Sequence, residues 1–371
     1  MKKILEAIEY ANNGGINVYN WSETINNYTV VSFGLGKFFE DTHERLFQMC
    51  NVSYVCDNSP EKQGKYFCGK KCISVNDIIN LKNPFVIVVM GNFIPIRDKM
   101  RELNIPVMHI TEMHFDGYIK GKSIHWLEKE IKNIEKAIKI LEDKESANVF
   151  ENIFCNKIYG ALRSINYESF STDGEYFETG LLNLKDDEVF IDIGAYTGDT
   201  IDDFIRVSKS NFQKIYSFEL NLKNYQYLCE SVKKYDSTIQ EKITLINAGA
   251  WDKHEQLYGS ASGDLGGFCI VPDAKKGEIC QLVTLDETIP KNEKVTIIKM
   301  DIEGAEQKAI NGAKAIINAY IPQLAICIYH KPEDLWQIPL IIKELNHEYK
   351  IYIRHHGKQN YLDTVCYAIR N

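Results

Sequence analysis

Short apolar runs alternate with amphipathic stretches through the first third of the chain. Residues 1–27 predict a helical lead that ends in an Asn/Gly-rich turn. Between residues 28 and 115, helical sequence such as FFEDTHERLFQMC separates β-rich runs bounded by Gly, Asn or Pro: TVVSFG, VSYVCD, FVIVVMG and PVMHIT. This alternation predicts a small α/β domain with a parallel sheet and crossover helices.

A heptad pattern follows, within a helical linker predicted over residues 116–164. In a helix predicted over residues 123–144, apolar residues recur at spacings of three and four: Ile124, Leu127, Ile131, Ile134, Ile138 and Leu141. A seam this narrow has two interpretations. Either the helix packs onto its own domain, or it forms a short coiled coil that joins two copies of the chain as a homodimer.

From residue 165 to residue 371 the pattern is more regular. Helical sequence separates five β-rich runs, and only a short polar stretch separates two further runs that close the chain. The seven runs are EVFIDIG, KIYSFEL, KITLINAG, VTIIKMD, QLAICIY, YKIYIRH and TVCYAI. Their order predicts a doubly wound sheet of five parallel strands that ends in an antiparallel hairpin.

Composition and charge exclude several classes of protein. The 371 residues suffice for two domains, and 51 acidic residues against 43 basic ones give a net charge of −8 with no dense Lys/Arg block. Because nucleic-acid binders concentrate positive charge, we expect no nucleic-acid partner. The chain contains no run of about 18 apolar residues, which predicts no membrane span.

The ten cysteines indicate neither secretion nor metal binding. Several lie in apolar runs, where a cysteine behaves as a small buried hydrophobe. Cys68 and Cys72 are close in sequence but lack a second pair at zinc-site spacing. Because the first apolar stretch is too short for a secretory signal, we expect a cytoplasmic protein with reduced thiols.

The turn FIDIGAYTGDT, at residues 190–200, is the first candidate site element. Gly194 and Gly198 bracket a tight turn from strand to helix, and glycine lets the backbone approach a ligand closely. Asp192 stands near the strand's carboxyl end, so we expect its charge to project into the crevice where such sheets bind ligands. There it would suit the amino group of a cofactor. Taken alone, the pattern is more typical of a simple strand-to-helix turn.

Two more elements stand at the ends of the next two strands. Glu219 ends the run KIYSFEL, 25 residues after Gly194, where an acid can accept hydrogen bonds from both ribose hydroxyls. The alternative is an exposed strand-end glutamate. After the third strand, Asn247 and Ala248 leave room for a flat adenine ring, whose edge an amide can bind.

In order and spacing, FIDIGAYTGDT, FEL, NAGAW, VTLDETI and IIKMDIEGAE resemble the FkbM family of methyltransferases. The resemblance covers residues 165–371, and KMDIEGAE is its most specific motif. It implies a Rossmann-like methyltransferase fold, S-adenosylmethionine as cofactor, and O-methylation, commonly of sugars or natural-product scaffolds. One position departs from the family, since Asn221 stands where proline is common. The predicted cofactor-binding residues are Asp192, Gly194, Tyr196, Thr197, Gly198, Glu219, Leu220, Asn247 and Ala248.

A hydroxyl group is a poor nucleophile, so the acceptor needs a base or a metal ion. We predict Asp301, His330 and Glu303 as catalytic residues, because Asp301 and His330 end the fourth and fifth strands and should face the methyl group. His330 would be the base, with a pKa near the working pH. In a second interpretation, Asp301 orients the substrate hydroxyl or a divalent metal ion, as a similarly sited aspartate does in catechol O-methyltransferase. Lys299 shares a face of the same strand.

These residues also have structural interpretations. Asp301 could cap a helix, and Glu303 and Glu306 could occupy its first turn. His330 could be a loop residue bound to the backbone. No three-residue metal site is predicted. We expect the Gly/Ser-rich stretch at residues 259–268 to form a mobile loop beside the acceptor pocket.

The first domain carries a weaker nucleotide-binding pattern. Gly34 and Gly36 follow its first strand, and Asp57 ends its second strand, where an acid can hold a ribose. Phe39 replaces the third glycine of the fingerprint. The pattern predicts a degenerate Rossmann-like module for recognition or assembly, or a site for a nucleotide or nucleotide sugar. NAD-dependent oxidoreductase chemistry is disfavoured, because it would need its own set of catalytic residues and the sequence of this half offers none.

The main hypothesis is therefore an O-methyltransferase that methylates a hydroxyl of a small-molecule acceptor, namely a sugar or a sugar-bearing metabolite. The alternative is a non-catalytic scaffold whose two Rossmann-like domains bind a nucleotide or nucleotide sugar. The set of Asp192, Glu219 and Asp301 favours the enzyme.

Overall fold

The computed structural model divides into two compact units. The first comprises Met1–Lys132, Phe150–Ser169 and Lys358–Asn360, and the second comprises Asn133–Val149, Phe170–Gly357 and Tyr361–Asn371. Within them, the structure describes residues 1–15, 17, 19–110, 122–159, 167–177, 180–262, 267–270, 277–358 and 362–370.

A six-stranded sheet forms the centre of the first unit. Its strands are β1 (Thr29–Phe33), β2 (Val52–Cys56), β3 (Tyr66–Phe67), β4 (Lys70–Ile73), β5 (Pro84–Val88) and β6 (Val107–His109). In the order β3-β4-β2-β1-β5-β6, neighbouring strands are parallel except for the β3–β4 pair. The predicted small Rossmann-like sheet is confirmed. The β3–β4 hairpin was not predicted, because strands this short leave no periodic pattern.

Helices and turns connect these strands. They are α1 (Lys2–Asn12), α2 (Trp21–Thr24), a 3₁₀ turn (Ile25–Asn27), α3 (Lys37–Met49), α4 (Val75–Ile78) and α5 (Ile94–Glu102). Successive strand residues point to opposite faces of a sheet. Accordingly, Val30 packs into one apolar cluster and Val31 into another, so both faces of the sheet are covered.

Two long helices, α6 (Ile124–Lys139) and α7 (Lys144–Tyr159), follow, and a 3₁₀ turn occupies Tyr167–Ser169. All residues of the heptad seam except Leu141 lie on α6, which ends five residues before the predicted boundary at residue 144. Leu127 and Ile134 are fully buried within the single chain, as expected for a helix that packs onto its own chain. Dimerisation through this helix stays a prediction.

The second unit contains two sheets. Its strands are β7 (Val189–Ile193), β8 (Lys214–Phe218), β9 (Ile243–Ile246), β10 (Gly249–Ala250), β11 (Glu255–Ser262), β12 (Gly267–Ile270), β13 (Glu278–Val283), β14 (Ile297–Met300), β15 (Gln323–Cys327), β16 (Lys350–His355) and β17 (Thr364–Ile369). The larger sheet has the order β16-β17-β15-β14-β7-β8-β9. Its strands β9, β8, β7, β14 and β15 are parallel, whereas β17 is antiparallel to β15 and β16. The predicted five parallel strands with a C-terminal hairpin are confirmed.

The smaller sheet of this unit corrects the expectation of a loop at residues 259–268. Strand β11 pairs antiparallel with β12 and β13, in the order β10-β13-β11-β12. Residues 259–262 belong to β11 and residues 267–268 to β12, while residues 263–266 lie outside the described residues. Gly259 is required here, because a Cβ atom at this position would lie 2.4 Å from the ring of Phe268. Glycine and serine therefore allow close packing rather than a loop.

Helices cover the faces of the larger sheet. They are α8 (Asp199–Val207), α9 (Leu222–Val232), α10 (Ser237–Gln240), α11 (Leu285–Thr288), α12 (Glu306–Asn311), α13 (Lys314–Tyr320) and α14 (Asp334–Leu345). All five residues of β7 are buried, as in a central strand covered on both faces. Among the described residues, no helix combines the length and the apolar character needed to cross a bilayer.

Candidate active site

A cavity of about 440 Å³ lies in the second unit, at the carboxyl ends of β7, β8 and β14. Open α/β sheets bind their ligands at this edge. The predicted site residues that line it are Gly194, Tyr196, Glu219, Leu220, Ala248, Asp301 and Glu303. The other predicted site residues, which are not among its lining residues, are Asp192, Thr197, Gly198, Asn247 and His330.

The loop after β7 needs glycine at two positions. Gly194 has φ of 81°, and a Cβ atom on it would lie 1.9 Å from the backbone oxygen of Asp301. Gly198 has φ of 98° and precedes α8, and a Cβ atom there would lie 2.6 Å from the Oγ of Ser231. These contacts bring the loop close to β14 and to α9 and leave the cavity open above it.

The carboxylate of Glu219 is held by two backbone amides. Its Oε2 accepts a hydrogen bond from the N–H of Tyr196, and its Oε1 accepts one from the N–H of Asn221, both at 2.8 Å. Burial raises the pKa of Glu219, although the two amides oppose that effect. The orientation of the Glu219 carboxylate is therefore fixed, next to the loop that follows β7.

The side chain of Asn247 binds the protein backbone and does not line the cavity. Its side-chain amide donates hydrogen bonds to the carbonyl oxygens of Glu219 at 2.8 Å and Leu220 at 3.3 Å. It therefore positions the end of β8, whereas the neighbouring Ala248 lines the cavity. We expected Asn247 to bind an adenine edge, and the structure gives its N–H groups these other partners.

Asp192 differs from its expected position. Its side chain is completely buried below the cavity, and its Oδ1 lies 3.1 Å from the Nζ of Lys299. Lys299 lines the cavity and also donates a hydrogen bond to the carbonyl oxygen of Gly194 at 2.7 Å. Burial raises the pKa of Asp192, and the charge of Lys299 opposes that shift. Because β14 lies next to β7, the lysine and the aspartate form an ion pair across the two strands.

Asp301 follows β14, where the sheet meets the cavity. Its Oδ2 accepts a hydrogen bond from the hydroxyl of Tyr176 at 2.9 Å, and its Oδ1 accepts one from the hydroxyl of Tyr329 at 3.0 Å. Burial raises the pKa of Asp301, but the charges of His330 and Lys299 and the two hydroxyls outweigh burial. Its pKa therefore lies below the ordinary value, and Asp301 is a fixed carboxylate at neutral pH.

His330 is near Asp301 but is not among the residues that line the cavity. Its Nδ1 is 2.9 Å from a carboxylate oxygen of Glu306, and its Nε2 is 3.4 Å from Asp301 and 3.8 Å from Glu303. Burial lowers the pKa of His330, but the three carboxylates outweigh burial and raise the pKa to about 10. The ring is therefore protonated at neutral pH, which corrects the expectation of a base with a pKa near the working pH.

The turn between β14 and α12 links these groups. Glu306 is fully buried, and its Oε1 accepts hydrogen bonds from the backbone N–H of Ile302 at 3.0 Å and of Gly304 at 3.4 Å. Ala305, rather than Asp301, is the residue that precedes the first turn of α12. Asp301 is therefore not the cap of that helix, whereas Glu306 does occupy its first turn.

Ligand atoms of Asp301, Glu306 and His330 lie within 4.8 Å of one another, a spacing that could suit a metal ion. The chemistry of the donors does not fit one. His330 has a carboxylate against each ring nitrogen, and a protonated imidazole offers no lone pair to a metal. Both oxygens of Asp301 already accept tyrosine hydroxyls. The three residues therefore form an ion triad.

The residues at the cavity that the sequence did not predict include Glu175, Tyr176 and Asp363. Burial raises the pKa of Glu175 to about 7 and that of Asp363 to about 6, and in both cases the charge of Asp301 adds to the effect. Each lies in a turn rather than at the end of a parallel strand. No periodic pattern or motif marks such positions, which only the folded chain brings together.

The first unit repeats the geometry of Glu219 on a smaller scale. Asp57, at the end of β2, accepts hydrogen bonds from the backbone N–H of Leu35 at 3.0 Å and of Ser59 at 2.9 Å. Lys62 adds an ion pair at 3.0 Å and also donates to the carbonyl oxygen of Leu35 at 3.1 Å. Burial raises the pKa of Asp57, but these hydrogen bonds outweigh it and lower the pKa. A lysine of the same unit thus already neutralises the acid predicted to hold a ribose.

Phe39 in this unit is buried, as expected for a side chain that fills space beside the helix. Gly34 has φ of 108°, and a Cβ atom on it would lie 2.7 Å from the carbonyl oxygen of Val89. The first strand of each unit therefore ends in a glycine that packs on the fourth parallel strand of its sheet. A nucleotide site in the first unit stays a prediction.

Comparisons with known proteins agree with this geometry. Residues 192–359 match the family model described as the methyltransferase FkbM domain. The chain is similar to the crystal structure of a methyltransferase FkbM from Methylobacillus flagellatus KT, with 22% identity and a TM-score of 0.75 over 99% of this chain and 98% of that one. At this identity the likeness establishes the fold alone.

Two other solved structures are less similar. An rRNA methylase from Streptococcus thermophilus has 12% identity and a TM-score of 0.34 over 51% of this chain and 89% of that one. A SAM-dependent methyltransferase from Aquifex aeolicus has 14% identity and a TM-score of 0.31 over 50% of this chain and 84% of that one. Among curated proteins, no sequence matches this chain significantly. The family match and the fold agree, and residues 192–359 of this chain form a methyltransferase FkbM domain.

Proposed function

We propose that this protein is an S-adenosylmethionine-dependent O-methyltransferase that methylates a hydroxyl of a sugar or of a sugar-bearing metabolite. One observation carries the proposal. Gly194, Glu219 and Asp301, which end three neighbouring parallel strands of an FkbM methyltransferase domain, line a single cavity.

The residues of the cavity fit an adenosyl group. The carboxylate of Glu219, already oriented by two backbone amides, can accept hydrogen bonds from ribose hydroxyls. Beside it, Leu220, Ala248 and Leu282 offer apolar side chains for a flat ring. Gly194 lets the loop after β7 pack against the backbone of Asp301, and it also lines the cavity.

Asp301 is proposed to orient the acceptor. When bound, the cofactor supplies an activated methyl group on a sulfonium sulfur. Asp301 lies at the same cavity, and its carboxylate is fixed by Tyr176 and Tyr329, so it can accept a hydrogen bond from a hydroxyl placed for in-line attack. His330, near Asp301, acts through that carboxylate and is a positioning residue.

The walls of the cavity support a sugar acceptor. Trp251 and Phe268 both line the cavity and can offer ring faces to the C–H surface of a sugar. Asp301 and Glu303 add carboxylates that accept hydrogen bonds from hydroxyls. Aromatic faces combined with hydrogen-bond acceptors suit a polyhydroxylated ring better than a wholly apolar substrate.

The test is transfer of a labelled methyl group to a panel of hydroxylated acceptors, run beside calorimetric titration with S-adenosylmethionine. We expect cofactor binding and transfer to a sugar-containing acceptor, with the label stable to mild base as an ether. Binding without transfer to any acceptor would support the non-catalytic scaffold. Absence of binding would reject the proposal.

The proposed reaction uses no metal ion, because the triad around His330 does not fit one. Dialysis against EDTA should therefore leave the rate of transfer within a few-fold of the untreated protein. Loss of activity that magnesium restores would show that a metal orients the acceptor instead.

A further inference from the structure

A short turn places Glu175 at the cavity. Gly174 has φ of 88° and Tyr176 has φ of 60°, so the backbone is in the left-handed region on both sides of Glu175. The N–H of Phe177 donates a hydrogen bond to the carbonyl oxygen of Glu175 at 2.8 Å, which closes the turn. Glu175 and Tyr176 both line the cavity.

Two anchors hold this turn in place. The ring of Phe177 packs in the core against Phe190 and Phe204, with ring centroids 5.6 Å and 5.5 Å apart. The ring of Tyr176 lies 5.0 Å from the Nζ of Lys299, in addition to the hydrogen bond from its hydroxyl to Asp301. Glu175 stands next to Tyr176 and Phe177 in sequence, so these anchors hold it at the wall of the cavity that Asp301 also lines.

We propose that Glu175 is the general base that takes the proton from the acceptor hydroxyl, a role that rests on the proposed function. As the O–H bond breaks, its proton moves to the Glu175 carboxylate, and the oxygen forms a bond to the methyl carbon. The methyl–sulfur bond breaks at the same time, and its electron pair stays on sulfur, which becomes neutral. Charge and atoms therefore balance without a further reactant.

Asp301 is less suited to accept this proton. Each of its oxygens accepts a tyrosine hydroxyl, and the protonated ring of His330 lies 3.4 Å away. These contacts stabilise the anion, so the pKa of Asp301 lies below the ordinary value. A carboxylate stabilised in this way can orient a hydroxyl but is a weak base.

The groups around Glu175 favour its protonated form near neutrality. Burial has the largest effect and raises the pKa of Glu175 to about 7, and the charges of Asp363 and Asp301 act in the same direction. The hydroxyl of Tyr176 and the ammonium of Lys299 oppose them. A base is most effective when its pKa lies near the working pH, because it is then ionised and still accepts a proton readily.

The charge of Asp363 offers an independent way to change the pKa of Glu175. It precedes β17, lines the same cavity, and has φ of 61°. Its negative charge raises the pKa of Glu175, so neutralising Asp363 should lower the pH at which Glu175 loses its proton. A role for Glu175 that was only structural would not produce that shift.

The experiment compares E175Q, D363N and the matched control D173N, since Asp173 is an exposed acid of the same turn. We expect E175Q to lower kcat by about 10²–10⁴-fold while its affinity for S-adenosylmethionine changes by a few-fold at most. The acidic limb of the wild-type rate profile should lie near pH 7, move to lower pH in D363N and stay unchanged in D173N.

A second measurement does not depend on turnover. Infrared difference spectra of the cofactor-free protein, wild type minus E175Q, report protonation of this one carboxyl group as the pH is varied. We expect a midpoint near pH 7 that moves downward in the D363N background. A kcat of E175Q close to wild type, or a midpoint at the ordinary value for glutamate, would overturn the role of Glu175 and leave the proposed function intact. Wild-type protein that binds cofactor but methylates no hydroxyl would instead overturn both.

Discussion

The ammonium group of Lys299 lies 3.1 Å from the carboxylate of Asp192, and both side chains are almost completely buried. The pair joins two neighbouring parallel strands, β14 and β7, directly below the cavity. Lys299 also binds the carbonyl oxygen of Gly194, so one buried cation ties the loop after β7 to the fourth strand of the sheet. The pair therefore supports the floor of the site.

Replacing Asp192 by Asn should destabilise the second unit by about 3–5 kcal/mol, because it removes the carboxylate that is paired with the buried cation of Lys299. Hydrogen exchange of the β7 and β14 amides measures this locally. The exposed D203N variant is the matched control and should cost at most about 1 kcal/mol. A second change, K299M on top of D192N, should recover part of the loss, since the unpaired charge is then gone. Equal protection in D192N and wild type would show that the pair does not hold the strands together.

Replacing Gly194 by Ala should disrupt the loop after β7. The new Cβ atom would lie 1.9 Å from the backbone oxygen of Asp301, and the φ of 81° is unfavourable for alanine. We expect the free energy of unfolding to fall by about 3 kcal/mol or more, because the ends of β7 and β14 must move apart. Cofactor binding should weaken as well. G180A, at a position where a Cβ atom meets nothing within 4 Å, serves as the control in thermal unfolding and titration. Unchanged cofactor affinity in G194A would argue against close approach of ligand to this loop.

His330 predicts a particular dependence of stability on pH. Its folded-state pKa, raised to about 10, exceeds the unfolded value, so its contribution is complete below about pH 6.5 and is lost as the pH rises toward 10. Between these values, the free energy of unfolding of wild type minus that of H330Q should fall by about 1.4 kcal/mol per pH unit at most. Urea unfolding at a series of pH values measures the difference, with H347Q at an exposed position as control. A flat difference over this range would mean that His330 is neutral in the folded protein.

Replacing Asp301 by Asn should reduce kcat about 100-fold or more and leave cofactor affinity within a few-fold. The amide keeps the size of the side chain but removes the charge that His330 and Lys299 stabilise and one acceptor for the two tyrosine hydroxyls. Single-turnover transfer and calorimetric titration separate the two effects. Near-normal turnover would show that Asp301 neither contacts nor orients the acceptor.

The sequence predicted the parts of the fold that depend on apolar runs. The buried strand Val189–Ile193 and the closing pair Lys350–His355 and Thr364–Ile369 stand out because every second residue or more is apolar. Strand Glu255–Ser262 was missed because its sequence EQLYGSAS has small polar residues where the partner ring of Phe268 needs space. Local hydrophobicity therefore predicts the main sheet but not the smaller one.

The same distinction applies to the site. Gly194, Glu219 and Asp301 could be predicted because the carboxyl ends of parallel strands meet at one edge, whatever the loops do. Glu175 and Tyr176 could not, because they reach the cavity through a tight turn far away in sequence. The protonation state of His330 could not be predicted from the sequence either. It depends on the contact between His330 and Glu306, which forms only when the turn after β14 is folded.

A crystal structure of the protein with S-adenosylhomocysteine tests the central claim most directly. We expect electron density in the cavity at the ends of β7, β8 and β14, with the ribose hydroxyls hydrogen-bonded to Glu219 and the sulfur directed toward Asp301 and Glu175. Density for the nucleoside at any other place, with Glu219 and Asp301 left without contact, would contradict it.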